Sequence, residues 1–408
     1  MTFPSPLGAQ RTFGFGDRFG FAARAHLAVS RESGFAPIFA QQSAIELAQS
    51  GRTPAEMLAT APPDLDRAWG ADAAGVATAP EIEPFATAGF SRFTLDPSAY
   101  FVERAADLSA AELDAAASAL VEDGVFAAGW VELYAGREFP ISESRSLRIE
   151  FDALQRVAVK FGWALAFAEE LTAHAKQVCG ARPFEVELSL LRSATRTTPQ
   201  EHLFVALEAR RRGLPLVAIA PHLPGSWEPM AEAVDDADEL EAALQMHTAI
   251  AGAYGPHQIS VPEIEGKSAI LPVLGRVCGA RLHVKTSAAS ALEMLRVVAR
   301  VEPGLFREIL GLAQERFPFE RSVKPGSLSE EEVRFLPEAA DPELETLFLG
   351  DARGRQLLDV TIGSIWATGV DSSGRPMKER LAELMGGHQA LYDDLLAAHL
   401  RTLLDALG

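Results

Sequence analysis

A histidine and a lysine lie where a predicted strand gives way to a loop. His283 and Lys285 belong to the segment 281–290, RLHVKTSAAS, in which a short apolar strand should end and a helix should begin at once. Ser290 and Glu293 have the spacing of a capping box at the start of that helix. Because the strand ends here, we expect one of the two polar side chains to point into a barrel or crevice, where a small polar ligand could bind.

Lys267 comes after the preceding predicted strand, in a stretch that also contains Glu263 and Glu265. Together with His283 and Lys285, it would place two ammonium groups and an imidazole at consecutive strand ends. Such a set could hold a carboxylate and polarise a carbonyl, and Lys285 could in principle form a Schiff base. The structural alternative is that either lysine pairs with a nearby carboxylate.

A glycine-rich turn at 14–20, GFGDRFG, carries Asp17 and Arg18. Its spacing lacks the strand–GxGxxG–helix context of a dinucleotide site and the lysine of a Walker loop, so we expect no nucleotide cofactor there. At a strand end, the two charged side chains could bind substrate hydroxyls or a carboxylate. The structural alternative is an ion pair that braces a tight turn.

His202 falls in the first turn of a predicted helix that opens with Thr198 and Glu201, a capping box. The positive end of the helix dipole disfavours an imidazolium there, so a neutral His202 could accept a proton or bind a ligand. Glu201 has a complete structural explanation as part of the cap. Other histidines in predicted helices are assigned to packing: His174, His247, His388 and His399.

No short metal-binding motif is present, since the chain has no HExxH, no cysteine cluster and no EF-hand pattern. A histidine–carboxylate site assembled from several loops would escape such motifs. Candidate ligands that follow predicted strands are His222, Glu228, Glu263 and Glu265.

Composition restricts the possible partners. Among 408 residues, Lys and Arg number 37 and Asp and Glu 56, which gives a net charge of −19. This balance argues against nucleic-acid or anionic-membrane binding, both of which need basic surfaces. The two cysteines, Cys179 and Cys278, indicate no disulfide framework. Because the sequence shows no signal-peptide or transmembrane pattern, the expected location is the cytoplasm.

Strand and helix patterns alternate along the chain, with strands about 25–40 residues apart, which is typical of βα units joined by right-handed crossovers. The predicted strands are 12–21, 35–42, 91–95, 184–190, 214–220, 257–261 and 281–284. The predicted helices are 109–121, 153–178, 199–212, 236–254, 267–278, 290–300, 377–385 and 388–407. In such an architecture the chemistry lies at strand ends.

Seven stretches, in order over nearly the whole chain, carry a resemblance to a known family: 14–22 (GFGDRFGFA), 37–43 (PIFAQQS), 93–97 (FTLDP), 197–213 (TTPQEHLFVALEARRRG), 246–260 (MHTAIAGAYGPHQIS), 282–300 (LHVKTSAASALEMLRVVAR) and 359–365 (DVTIGSI). Together they resemble the tagaturonate epimerase (fructuronate/tagaturonate epimerase) family of bacterial hexuronate catabolism. The resemblance implies an α/β fold of the (β/α)8 TIM-barrel type. We expect one catalytic domain over 1–408, with an irregular N-terminal part and a helical C-terminal extension at 365–408.

The resemblance also implies a divalent metal and epimerisation of a keto-hexuronate at the carbon β to its ketone. A proton at that carbon is not acidic, so we expect retro-aldol cleavage and re-addition, with a metal or an ammonium group stabilising the enolate. The expected catalytic residues are His202, His283, Lys285 and Lys267. The expected substrate-binding residues are Asp17, Arg18, Gln42, Arg192 and Thr286.

This chain departs from the expected family pattern at several strand ends. Where acidic residues, a histidine and an aspartate are expected, it has Arg192, Ala194, Ser226, Pro262 and Gly266. These departures suggest that the usual metal site is absent or rebuilt, with His222, Glu263 and Glu265 as possible replacements. The alternative to an active epimerase is therefore a divergent paralogue that binds a sugar acid or catalyses a metal-free reaction. A homo-oligomer is possible in either case.

Overall fold

Eight parallel strands close into a barrel in this computed structural model, which describes residues 3–62, 67–225, 227, 230, 236–323, 326–334 and 339–408. The strands are β1 Thr12–Gly14, β2 Ala36–Ser43, β3 Gly70–Val76, β4 Arg92–Leu95, β5 Glu138–Ser142, β6 Arg145–Arg148, β7 Glu185–Ser189, β8 Leu216–Ala220, β9 Gln258–Val261 and β10 Leu282–Lys285. Their order round the barrel is β1, β2, β3, β4, β7, β8, β9 and β10, and β5 and β6 form a separate antiparallel hairpin.

Helices connect the barrel strands and cover the outside of the barrel. They are α1 Ala23–Glu32, α2 Ala44–Ser50, α3 Pro54–Ala59, α4 Ala79–Ala88, α5 Ala110–Glu122, α6 Phe151–Cys179, α7 Pro199–Arg211, α8 Ala237–Tyr254, α9 Leu271–Cys278, α10 Ala289–Val301, α11 Pro303–Val323, α12 Glu330–Arg334, α13 Ala352–Thr368 and α14 Met377–Leu407. The expected (β/α)8 TIM-barrel-like fold is confirmed. None of the helices in the described ranges is both long and apolar enough to cross a membrane.

The C-terminal helices pack against the barrel's own helices. Helix α14 contacts α1, α9 and α10, and α13 contacts α2 and α11. Within α14, His388 has a non-helical backbone (φ −127°, ψ 23°), which coincides with the predicted break between two helices. The last turn of α14 is further held by Arg11, which donates to the carbonyl oxygens of Leu407 and Gly408.

The barrel is closed by parallel pairing between its first strand, β1, and its last strand, β10. Thr12 of β1 pairs with His283 of β10, and Gly14 pairs with Lys285. Gly14 allows a close approach, because a Cβ at this position would lie 1.5 Å from Gln41 Oε1. The apolar core lies between the strands and the helices, whereas the interior of the barrel is lined by polar side chains.

The structure differs from the local predictions in three places. Strand β3 was not predicted, and β1 ends at Gly14 instead of continuing to residue 21. After β1, the Asp17 carboxylate accepts the backbone N–H groups of Gly20 and Ala22 in a turn. The capping box at the start of α10 is also wrong. That helix begins one residue before Ser290, and no side chain of its own N-cap residue bonds to it.

The start of α10 is capped instead by a carboxylate from another loop. Glu265 Oε1 accepts the backbone N–H groups of Ser287, Ala288 and Ala289 at 2.7, 3.0 and 3.2 Å. These are the free donors at a helix N-terminus, where negative charge is favoured. The cap fixes the loop that follows Lys285.

Candidate active site inside the barrel

A buried ion pair forms the lower layer of the barrel interior. Arg92 Nη2 lies 2.7 Å from Glu185 Oε1, and the same guanidinium donates to Gln258 Oε1 at 3.0 Å. Gln258 Nε2 in turn donates to Thr12 Oγ1 at 2.7 Å. Backbone N–H groups of Leu7 and Gly8 bond to the other carboxylate oxygen, Glu185 Oε2, so the layer is closed at the amino ends of the strands.

The layer above it is centred on the ammonium group of Lys285. Lys285 Nζ lies 2.7 Å from Asp72 Oδ2 and 3.0 Å from Glu187 Oε1, and it donates to Thr94 Oγ1 at 2.7 Å. Ser260 Oγ donates to Glu187 Oε1 at 2.7 Å. The side chains of this layer come from β3, β4, β7, β9 and β10, so five strands contribute to one cluster.

Both His283 and Lys285 face the interior, so the prediction that only one of them would do so is wrong. Residues two apart on a strand share a face. His283 Nδ1 lies 2.8 Å from Thr12 Oγ1, which leaves Nε2 directed towards Glu187 Oε2 at 3.6 Å. Among the described residues, neither of these last two atoms has a hydrogen-bond partner. Burial, and then the charges of Arg92 and Lys285, lower the pKa of His283 well below its ordinary value, so its ring is neutral.

Asp72, Glu187 and His283 form a set that fits a divalent metal. One ligand atom from each residue lies within 4.8 Å of the others. Two carboxylates and a neutral imidazole are a donor set that zinc and similar ions accept, with further positions left open for a substrate. Glu187 Oε2 and His283 Nε2, which have no hydrogen-bond partner among the described residues, are available as donors, although Arg92 Nη1 lies 3.8 Å from Glu187 Oε2.

The residues expected to replace lost metal ligands are not members of this set. His222 Nδ1 is 2.8 Å from the carbonyl oxygen of Ser193, and Glu265 caps α10. Glu263 has a left-handed backbone with φ +53°. Two residues named on the sequence, Ser226 and Glu228, lie outside the described residues.

Two other predicted site residues lie in loops that follow barrel strands, Lys267 after β9 and Arg192 after β7. Lys267 is buried, with Nζ 5.8 Å from the ring centroid of Trp227. The Arg192 side chain is 69% exposed and pairs with Asp96 at 3.0 Å.

Asp17 and Arg18 are both engaged in contacts that organise the fold. Asp17 accepts two backbone N–H groups in the turn before α1. Arg18 pairs with Asp359 at 2.7 Å and with Glu46 at 3.0 Å, which ties β1 to α13 and α2. Burial alone would lower the pKa of Arg18, but Asp359 and Glu46 together raise it above its usual value.

Gln42 and Thr286 lie close to the carboxyl ends of β2 and β10. Thr286 Oγ1 donates to the carbonyl oxygen of Gly14 at 2.8 Å. Gln42 is 1% exposed, and within the described part of the chain neither amide atom has a hydrogen-bond partner.

His202 belongs to a buried row of three histidines beside α7 and α8. Its Nδ1 lies 2.9 Å from His247 Nδ1, and its Nε2 lies 2.8 Å from His257 Nε2. Burial, and then the two neighbouring imidazoles, lower the pKa of His202 well below its ordinary value. Burial lowers the pKa of His247 to about 4, and burial followed by the charge of Arg281 lowers that of His257 to about 3. The three rings are therefore neutral.

Sequence reasoning missed the carboxylates of the cluster. Glu185 and Glu187 alternate with Val186 and Leu188 in β7. A barrel strand is covered by helices on its outer face, so polar residues at alternate positions must point inward. That alternation was the available signal for Glu187. Asp72, one acidic residue in the small-residue strand β3, offered no comparable signal.

Comparison with known proteins places the chain in a family. A family model described as tagaturonate epimerase matches residues 1–407. The tagaturonate/fructuronate epimerase of Thermotoga maritima is 30% identical over 411 residues, which cover 99% of this chain and 82% of that relative.

Solved structures give the same result. Two crystal structures of the fructuronate-tagaturonate epimerase of Cohnella laeviribosi are similar to this chain, one native and one with one glycerol. They superpose with TM-scores of 0.90 and 0.91 at 25% and 26% identity, and each match covers 100% of this chain and 83% of the other. This chain belongs to the tagaturonate epimerase family.

Proposed function

We propose that this protein interconverts fructuronate and tagaturonate, the two sugar acids named in its relatives. The observation that carries the proposal is the family match over residues 1–407. The barrel interior agrees with it, because a cation, two carboxylates and a neutral imidazole meet there in a small buried volume.

The chemistry follows from the position that is inverted. A hydrogen β to a ketone is not acidic, so a base alone cannot remove it. Loss of the proton from the β-hydroxyl, however, allows the bond between the α and β carbons to break, and the electron pair then becomes the enolate of the ketone. When the resulting aldehyde turns its other face to the enolate and the bond reforms, the β carbon is inverted and no atom is gained or lost.

Residues of the cluster suit both halves of this reaction. The three N–H donors of Lys285 are engaged by Asp72, Glu187 and Thr94, so the ammonium can stabilise the enolate through its positive charge. Glu187 Oε2 and His283 Nε2, both without hydrogen-bond partners among the described residues, can take and return the hydroxyl proton. His202, which belongs to the histidine row, and Lys267 are given no role in this proposal.

A divalent metal held by Asp72, Glu187 and His283 would supply further positive charge for the enolate. Glu187 Oε2 and His283 Nε2 would then be metal ligands instead of proton acceptors. Assays with and without an added ion distinguish these two arrangements. This possible ligand set, together with the family match, supports an epimerase over the alternative of a paralogue without epimerase chemistry.

Incubation of the purified protein with each sugar acid tests the proposal. We expect interconversion, followed by NMR, either without added metal or with Mn²⁺, Ni²⁺ or Zn²⁺. In D₂O the inverted carbon should keep its original hydrogen, because that hydrogen stays on the aldehyde carbon throughout. A folded protein that converts neither sugar under any of these conditions would refute the proposal, and deuterium at the inverted carbon would refute the retro-aldol route alone.

A further inference from the structure

We propose that Lys285 and a divalent cation compete for the same two carboxylates, and that this protein therefore holds such an ion loosely and exchangeably. The inference deepens the proposed function, since the ion would serve the same reaction. It concerns binding, however, and can be tested without any substrate.

The contacts of Lys285 carry the inference. Its ammonium lies 2.7 Å from Asp72 Oδ2 and 3.0 Å from Glu187 Oε1, so it occupies the space between two of the three potential ligands. Both carboxylates are fully buried or nearly so, with exposures of 0% and 1%. An ion that bound Asp72 and Glu187 together would meet the ammonium at contact distance.

The charges around the cluster make coexistence unfavourable. Among the described residues, the two layers contain three carboxylates, Asp72, Glu185 and Glu187, and two cationic groups, Arg92 and Lys285, so their charges sum to −1. A divalent ion would change this sum to +1 and would also place two cations in contact in a buried volume, where their repulsion is strong. The ion can enter favourably only if the ammonium moves away from the carboxylates.

The Lys285 side chain has the conformational freedom that such a displacement needs. Lys285 is the last residue of β10 and 4% exposed, and its flexible four-carbon chain carries the charge. Arg92 has no such freedom, because Glu185 and Gln258 hold its guanidinium in the lower layer. Binding of an ion therefore includes the work of displacing the Lys285 ammonium, which lowers the affinity.

Isothermal titration of the metal-free protein with Mn²⁺ and Zn²⁺ alone tests the inference. We expect Lys285→Met to bind each ion at least tenfold more tightly than the wild type, and Lys285→Arg to remain weak because it keeps the charge. Adding Asp72→Asn to Lys285→Met should abolish the tight binding, which would assign the ion to this cluster.

Lys160 provides a matched control. It is a second buried lysine with one carboxylate and one threonine partner, Glu201 at 2.8 Å and Thr195 at 2.9 Å, but it lies on α6 outside the barrel. Lys160→Met should leave the affinity for both ions unchanged. Equal affinities of wild type and Lys285→Met would overturn the inference.

Two further measurements test the inference if Lys285→Met does not fold. Lys285→Gln keeps a hydrogen-bond donor between the carboxylates and should also bind more tightly than the wild type. In wild-type crystals soaked in Zn²⁺, Lys285 Nζ should leave Asp72 when the ion is bound. An ion on Asp72 and Glu187 with Lys285 still in contact with both would contradict the inference. Failure of the epimerase assay would leave all these outcomes unaffected.

Discussion

Arg92 and Glu185 form an ion pair inside the barrel, with 2.7 Å between Nη2 and Oε1 and no exposure of the Arg92 side chain. A buried pair of this kind contributes little net stability when intact, because both charges have lost their water. Removal of one partner is costly, since the other charge is then left buried without compensation. The pair thus makes two residues from neighbouring strands depend on each other.

We expect Glu185→Ala to lower the free energy of unfolding by about 3–5 kcal/mol, the usual cost of breaking a buried ion pair. Urea denaturation followed by circular dichroism measures the change. Glu150→Ala is the control, because Glu150 pairs with Arg148 at the surface with 71% of its side chain exposed. If both substitutions lowered the free energy of unfolding by the same small amount, this account of Arg92 and Glu185 would be wrong.

Glu187→Gln should reduce kcat about 10²-fold or more, because an amide cannot accept the hydroxyl proton as a carboxylate does. Ser260 can still donate to the amide oxygen and Asp72 still pairs with Lys285, so the variant should fold, although its melting temperature should fall because Lys285 loses one of two buried carboxylate partners. Glu201→Gln is a matched control, since Glu201 also pairs with a lysine, at 2.8 Å, but outside the barrel. Full activity of Glu187→Gln in the epimerase assay would exclude Glu187 from the proton transfer.

Gly14→Ala should destabilise the barrel by about 1–3 kcal/mol, the usual cost of overpacking. Its Cβ would lie 1.5 Å from Gln41 Oε1, so the Gln41 side chain must move. Thermal denaturation should show that Gly14→Ala with Gln41→Ala recovers most of the loss. Gly16→Ala should not be rescued in this way, because its Cβ would meet the backbone of Thr286 and Ser287 at 2.5 and 2.9 Å.

The buried histidine row predicts a loss of stability in acid. Unfolded imidazoles take up protons near pH 6.5, whereas burial holds the pKa of His247 at about 4 and that of His257 at about 3 in the folded protein. Below pH 6.5 the unfolded state therefore binds more protons, and the free energy of unfolding falls. For each neutral histidine, the free energy of unfolding falls by up to about 1.4 kcal/mol per pH unit, until the pH reaches the pKa of that histidine in the folded protein.

Urea titrations between pH 7 and pH 5 measure this slope. His202→Gln should reduce the slope by about the contribution of one histidine, although the variant should be less stable than the wild type at every pH. Gln389→Ala, next to a histidine of α14 but without a titratable group, should leave the slope unchanged. The same slope in wild type and His202→Gln would show that the row is not responsible.

Much of the barrel could be predicted from sequence because its local signals agree with the fold. Thr198 and Glu201 form the predicted capping box, and Asp236 caps α8 through the N–H groups of Asp238 and Glu239. Strand β3 escaped prediction because Gly70–Val76 contains one β-branched residue, so its strand conformation depends on pairing with β2 and β4.

The site was predicted only in part, for a similar reason. His283 and Lys285 were identified because they are polar residues at the end of an apolar strand. Their partners Asp72 and Glu187 lie 213 and 98 positions away from Lys285 along the chain, and only the order of strands in the closed barrel brings them together. The cap on α10 escaped for the same reason, since Glu265 reaches it from another loop.

Pairing of β1 with β10 joins residues that are 271 positions apart, Thr12 and His283. Contacts between such distant positions form late, because loop-closure entropy opposes them. In an open sheet, Lys285 would have its strand neighbours on one side only, and His283 would lack Thr12. Catalytic competence is therefore acquired only when the cylinder shuts, and a partly assembled intermediate should have its helices before it has any affinity for a sugar acid.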